Sequence, residues 1–274
     1  MVLLSDGGLE SVPTINSTFS QDQISMDLTM CGLLVEESEE MAGLYKEKSS
    51  WNKVEEIWFG ERMDDRSTRD SSRKVYRILS SRLKSASSSL PHASILADIF
   101  DRCDTVRDKA QILYLYLIDS DPLVKYTVHE YVRILLEEGK DLDFSDEGLE
   151  RVLQDFSYAD GSGLEYSDST LYRWKQGFRS VMRDIGCIES ERSTDGEPPV
   201  VGDVPLLVSS GYSWEEEGDS WAESPVGWQY LFQPQKYWEK LAGRLADFDN
   251  WEANEFQGSL RLKPTESTYA WAKE

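Results

Sequence analysis

Apolar side chains recur at helical spacing through most of the first 188 residues, and this periodicity restricts the fold more than any other feature. In LLVEESEEMAGLYKE the apolar residues from Leu33 to Leu44 fall on one helical face, and WNKVEEIWF repeats the pattern. The residues 68–84 and the segment ASILADIFDRC continue it. We therefore expect a mainly α fold, with a compact unit of about eight helices in this part of the chain.

Residues that start and stop helices agree with the periodicity. Pro122 suits the first position of a helix, and Ser145 is a candidate N-cap. An Asp/Ser/Thr cluster precedes the segment LYRWKQGFRSVMRDI and Gly186 follows it, which predicts a helix between them. The segment DKAQILYLYLI is apolar nearly all round, which predicts a buried helix and leaves a strand as the alternative.

The composition changes after this helical part. Residues 190–203, SERSTDGEPPVVGD, have the Pro/Gly content of a linker or long turn. We divide the chain into a polar segment 1–24, a helical domain 25–189, the linker 190–203 and a C-terminal unit 204–274. VPLLVSS and SLRLKP predict short strands there and QKYWEKLAGRLADF predicts a helix, so this unit is a small α+β appendage.

Six of the nine tryptophans lie after residue 203. They could line an aromatic ligand site, but a small unit with few aliphatic residues also uses tryptophan to build its core. We expect the core role for most of them.

The chain carries 51 acids and 29 bases, for a formal net charge of −22. Such a field repels phosphate on average, although an average does not describe local patches. A dense coat of carboxylates is also typical of proteins from a saline cytoplasm, so a halophilic source is one explanation of the background charge.

One basic island interrupts this background at residues 62–84, with eight bases and three acids. If the segment is helical, five arginines form a stripe about 80° wide while Val75, Ile78, Leu79 and Leu83 pack inward. The stripe consists of Arg62, Arg66, Arg69, Arg73 and Arg77.

A second basic island covers residues 169–183, with four bases and no acid. Trp174 and Phe178 belong to the apolar face of this helix, and the bases follow one flank. This arrangement suits a helix that lies against a phosphate backbone. The four bases are Arg173, Lys175, Arg179 and Arg183.

Both islands have alternative explanations. Arginine stripes usually form ion pairs with local acids on a solvated face, or meet an acidic protein partner. We favour phosphate binding, because Asp64, Asp65 and Asp70 are too few to neutralise five arginines. In molar salt such binding would depend on close bidentate contacts, since screening removes long-range attraction.

Other classes of function lack support in the sequence. Three widely spaced cysteines and two histidines form no zinc, disulfide or catalytic pattern, and no nucleotide-binding glycine motif is present. The longest apolar run, ILYLYLI, is far too short to span a membrane, and the N-terminus lacks a basic leader. We expect a cytoplasmic, non-catalytic protein without cofactor, metal or small-molecule substrate.

The order of several segments resembles the BrxA family, the small component of BREX phage-resistance systems. These segments are MDLTMCGLLVEESEEMAGLY, WNKVEEIWF, SSRKVYRILSSRL, DKAQILYLYLIDSDPLVKYTVHEYV and DSTLYRWKQGFRSVMRDIGCIE, within about residues 24–190. The resemblance implies an all-helical fold similar to the antitermination factor NusB, with helix-turn-helix-like parts. It also implies double-stranded DNA and other BREX proteins as partners.

Two features depart from that family pattern. The tryptophan-rich tail is longer than the family core requires. Twelve residues, SYADGSGLEYSD, separate the last two predicted helices, where a helix-turn-helix has three or four. We therefore expect backbone binding through the basic islands, and the alternative is an assembly subunit that docks through its tail.

Overall fold

Helices make up most of the structure, a computed structural model that describes residues 19–61, 68–137, 141–256 and 259–273. The described residues form eleven α-helices: α1 (Val35–Lys48), α2 (Trp51–Glu61), α3 (Arg69–Ser85), α4 (Ala93–Asp101), α5 (Val106–Ser120), α6 (Pro122–Glu137), α7 (Asp146–Gln154), α8 (Asp168–Asp184), α9 (Asp203–Glu217), α10 (Val226–Tyr230) and α11 (Trp238–Ala246). Eight of them precede residue 188, so the prediction of an all-helical unit is confirmed.

Helix α5 forms the centre of the core. Every residue from Ala110 to Ile118 is buried, and α5 contacts α1, α3, α6, α8 and α9. The buried Gln111 donates from Nε2 to the carbonyls of Ile185 and Val200, each at 3.0 Å. A helix packed on all sides has no polar face, which explains the nearly continuous apolar sequence.

The predicted helix boundaries are confirmed at three places. Asp146 begins α7, and the Ser145 hydroxyl caps it by accepting from the Gly148 N–H at 3.1 Å. Pro122 is the first residue of α6. Helix α8 ends before Gly186, whose φ of 87° is the left-handed conformation that glycine adopts at little cost.

Two small antiparallel sheets complete the fold. Strand β1 (Leu142–Asp143) pairs with β2 (Asp195–Gly196), and β3 (Trp251–Phe256) pairs with β4 (Ser259–Pro264). The strand predicted from SLRLKP is therefore confirmed as β4. Because the Phe144 N–H also donates to the Thr194 carbonyl at 2.8 Å, the segment predicted as a linker is bonded to the helical domain.

The strand predicted from VPLLVSS is wrong, because these residues form the start of α9. All residues from Pro205 to Ser213 are buried, and a short run that is apolar on every side does not distinguish a strand from a buried helix. The hydroxyls of Ser209 and Ser213 donate to carbonyls of the preceding turn, which satisfies them inside the core.

The C-terminal tryptophans act mainly as core. Trp221 is fully buried, packs against Trp228 and Trp251, and donates from its indole to the Leu262 carbonyl at 2.8 Å. The tail also returns to the N-terminal helices, where the Tyr269 hydroxyl donates to the Ser89 carbonyl at 2.6 Å. No helix in the described ranges has the length and apolar character needed to cross a membrane.

Candidate nucleic-acid interface

Helix α3 presents three of the predicted arginines to solvent. Arg69 is exposed, and the side chains of Arg73 and Arg77 are 57% and 71% exposed. Val75, Ile78, Leu79 and Leu83 are buried on the opposite face, as the periodicity predicted. The stripe on α3 therefore consists of Arg69, Arg73 and Arg77, and we call it the α3 stripe.

The predicted stripe is not one continuous helix. Thr68 has extended backbone angles and caps α3, since its hydroxyl accepts from the Ser71 N–H at 3.2 Å. An N-cap residue has non-helical backbone angles, so α3 does not extend to residues before Thr68. Arg62 and Arg66 lie outside the described residues.

The ion pairs of the α3 stripe are weak. Asp70 Oδ1 lies 3.9 Å from Arg73 Nη1, and Asp27 Oδ1 lies 3.5 Å from Arg77 Nη2. Exposed pairs at such distances contribute about 0 to 1 kcal/mol. The guanidinium groups of the α3 stripe therefore stay available to an external anion.

Helix α8 divides its four bases between two environments. Lys175 and Arg179 are 5% and 7% exposed, whereas Arg173 is exposed and Arg183 is partly exposed. The prediction of one solvent-facing flank is therefore wrong for Lys175 and Arg179. The helical wheel placed these residues beside the apolar face but did not show how deeply α7 covers them.

Acids on α7 neutralise the two buried bases. Lys175 Nζ lies 2.8 Å from Glu150 Oε1 and 3.8 Å from Asp146 Oδ1. Arg179 Nη1 donates to Asp146 Oδ1 at 2.9 Å and to the Phe144 carbonyl at 3.2 Å. These two bases hold α7 against α8, and their charges are already neutralised by its acids.

Arg173 and Arg183 border an open cleft of about 380 Å³ between α8 and the segment 28–32. Neither arginine has an acid within 4 Å among the described residues. The cleft is lined by Leu28, Thr29, Met30, Cys31, Gly32, Arg173, Gln176, Gly177, Ser180 and Arg183. We call it the α8 cleft.

Close backbone packing holds the wall of the α8 cleft in place. A Cβ on Gly177 would lie 2.1 Å from the Leu28 carbonyl oxygen, so only glycine lets this segment approach α8 so closely. From the other side, buried Arg82 of α3 donates from Nη1 to the Gly32 carbonyl at 2.7 Å. Burial lowers the pKa of Arg82, and the nearby carboxyl of Asp121 opposes this effect.

The same segment joins the two basic regions. The short 3-10 helix Asp27–Thr29 meets Arg77 of α3 through Asp27, and Leu28 packs on Gly177 of α8. Arg77 of the α3 stripe and the α8 cleft therefore flank one stretch of chain. Sequence patterns did not identify this stretch, because residues 27–32 carry no base and have no clear periodicity.

The opposite side of α8 borders a different cleft, of about 360 Å³, between α7 and α8. Apolar residues such as Leu153 and Leu171 line it, together with Glu150 and Asp168. The residues 141–170 that surround it contain nine acids and one base. This side of α8 is unsuited to phosphate.

The described residues contain no group of three or more His, Cys, Asp and Glu side chains placed to hold a metal ion. His129 is buried, and desolvation lowers its pKa to about 4, so the imidazole is neutral at pH 7. Burial raises the pKa of Glu217 to about 7. Neither group lies in the two clefts described above.

Comparison with known proteins assigns the chain to a family. The model of the BrxA family matches residues 23–201, which include both the α3 stripe and the α8 cleft. No curated protein matches the chain significantly. The chain therefore belongs to the BrxA family and is a BREX-associated component of phage defence.

Proposed function

We propose that this protein is a non-catalytic accessory protein that binds double-stranded DNA through the α3 stripe and the α8 cleft. The observation that carries the proposal is the pairing pattern of the arginines. In a chain with 51 acids, Arg69, Arg173 and Arg183 have no acid within 4 Å among the described residues. Arginines without an acid at ion-pair distance are available for phosphate.

The geometry favours contacts with the DNA backbone over insertion of α8 into a groove. Helix α7 ends at Gln154 and α8 begins at Asp168, a connection far longer than that of a helix-turn-helix. One side of α8 is also covered by α7 through Lys175 and Arg179. Backbone contacts carry little sequence information, so we expect binding that is largely independent of sequence.

Fluorescence anisotropy of a labelled duplex, measured from about 50 to about 200 mM salt, tests this function. The triple change Arg69→Glu, Arg73→Glu and Arg77→Glu should weaken binding at least about tenfold. It should also reduce the slope of log K against log salt by about 2 to 3, because each lost phosphate contact removes about 0.9.

A matched control separates the site from net charge. Lys236, Lys240 and Lys273 are exposed in the C-terminal part, and changing all three to Glu alters the net charge by the same amount. This control should keep most of the affinity. Undetectable binding by the unmodified protein at low salt, or equal losses in the two triple variants, would contradict the proposed surface.

A second candidate function is assembly with another protein of the system. The cleft between α7 and α8 favours it, because its apolar lining and the Asp168 carboxylate complement a basic amphipathic segment. Docking through exposed tail tryptophans has less support, since Trp221, Trp228 and Trp251 are buried. If assembly is the main role, both triple variants should still form a complex with the partner protein of the system.

A further inference from the structure

We propose that the α8 cleft holds one unpaired nucleotide, so that the protein binds a duplex containing an extrahelical base more tightly than a continuous duplex. This inference rests on the proposed DNA-binding function and adds a substrate preference to it. The proposal rests on the size of the cleft, on the exposed Met30 in its wall and the exposed Tyr172 on α8, and on Arg173 and Arg183 among the lining residues.

The size of the cleft suits a single nucleotide. Its volume is about 380 Å³ and it is open to solvent, so one nucleotide can lie in it while one face stays exposed. A whole duplex cannot enter a depression of this volume, since the duplex is wider than its own major groove, which is already ~12 Å across. A continuous duplex would contact Arg173 and Arg183 of the cleft, whereas one base turned out of the helix can also lie against Met30, Gln176 and Ser180.

Two exposed side chains of the kind that stack on bases belong to the segments that form the cleft, Met30 in its wall and Tyr172 on α8. Met30 lines the cleft and is 48% exposed, and Tyr172 is 52% exposed one helical turn before the lining residue Gln176. They are two of only five large hydrophobic side chains that are exposed in the described part of the chain. A base that stacks on the tyrosine ring and on the polarisable thioether removes both from water.

The arginines are placed to hold the backbone on both sides of that base. Arg173 and Arg183 are separated by ten positions of α8, or roughly 15 Å along the helix axis. Both line the cleft, and their side chains are long enough to reach toward its middle. One guanidinium at each end can therefore neutralise the phosphates that precede and follow the unpaired nucleotide.

Polar groups between the arginines can contact the edge of a base. The Gln176 amide and the Ser180 hydroxyl line the cleft, and neither hydrogen-bonds to another side chain or backbone group within the described ranges. Asp184 Oδ2 would lie 3.8 Å from a Cβ on Gly32, so one carboxylate stands near the rim. An amide and a carboxylate suit base amino groups, whereas two arginines alone would suit any anion.

Three oligonucleotides of one sequence test the inference by fluorescence anisotropy: a blunt duplex, the duplex with a one-nucleotide bulge, and the same bulge with an abasic residue. The two bulged DNAs carry the same phosphates, so they differ only in the base. We expect the base-containing bulge to bind roughly tenfold more tightly than the other two, as stacking of one base provides.

Variants assign the preference to the cleft. Tyr172→Ala and Met30→Ala should each remove most of the preference for the base-containing bulge over the abasic bulge. Tyr172→Phe keeps the ring and should keep the preference. Tyr237→Ala removes a tyrosine that is 41% exposed in the C-terminal part, and it should behave like the unmodified protein.

The outcomes separate the two proposals. Absence of binding to all three DNAs overturns the proposed function and this inference together. Equal affinity for the three DNAs, or equal affinity for the base-containing and abasic bulges, overturns the inference alone. A preference that survives Tyr172→Ala and Met30→Ala also overturns it, because the base would then bind elsewhere.

Discussion

Both sides of α8 carry basic side chains, but these side chains have different roles on the two sides. On one side, Lys175 and Arg179 are buried and paired with acids of α7. On the other side, Arg173 and Arg183 border an open cleft and have no acid within 4 Å among the described residues. A base on a helix therefore stabilises the fold or meets a ligand according to what covers it.

The largest expected effect tests this difference through stability. Arg179→Ala should lower the free energy of unfolding by about 3 kcal/mol, because it removes the charged hydrogen bond to the half-exposed Asp146 and takes a donor from the buried Phe144 carbonyl. Arg173→Ala should lower it by less than about 0.5 kcal/mol, since the side chain is exposed. Urea denaturation measures both, and equal losses would contradict the contrast between the two sides.

A second prediction concerns the wall of the α8 cleft. Gly177→Ala places a methyl group 2.1 Å from the Leu28 carbonyl oxygen and should cost about 1 to 3 kcal/mol of stability as residues 27–32 shift. It should also weaken DNA binding, because the α3 stripe and the cleft meet along this segment. Thermal denaturation and anisotropy measure the two effects.

Another helical glycine provides the control for this change. Gly43 in α1 has open space where a Cβ would lie, so Gly43→Ala should raise stability by about 0.5 to 1 kcal/mol. DNA affinity should not change. If both alanine variants behave alike, close packing at Gly177 does not position the cleft.

The smallest effect concerns Arg77, which is exposed but has a partner at 3.5 Å. Asp27→Asn should free this guanidinium and tighten DNA binding about twofold to threefold, with a loss of a few tenths of a kcal/mol in stability. Asp70→Asn removes the same charge beside Arg73, where the separation is 3.9 Å, and should have a smaller effect. Equal gains for the two variants would mean that only net charge matters.

The helical pattern predicted the N-terminal part of the fold well. Residues such as Ser145, Pro122 and Gly186 act at helix ends through local bonds and backbone angles, so their roles are visible without the rest of the chain. The prediction failed at VPLLVSS, which forms a helix buried on every side. Its surroundings, and not its own periodicity, decide between strand and helix.

The candidate site was predicted only in part. Periodicity correctly placed Arg69, Arg73 and Arg77 on the exposed face of α3, because α3 buries one face and leaves the other in solvent. It failed for Lys175 and Arg179, which are covered by a helix from another part of the chain. It also missed Met30, which lies in the segment 27–32 that packs against α8, and the exposed Tyr172 of α8.

The order of apolar and charged residues along the chain determined the helices, their ends and the segregation of bases into two islands. These properties depend on neighbours within a few turns, which any one segment contains. Tertiary packing decided which of the bases stay free, because the acids that neutralise Lys175 lie about 25 positions away along the chain, on α7. It also brought Arg77, Arg173 and Arg183 to the same stretch of chain, which no local pattern encodes.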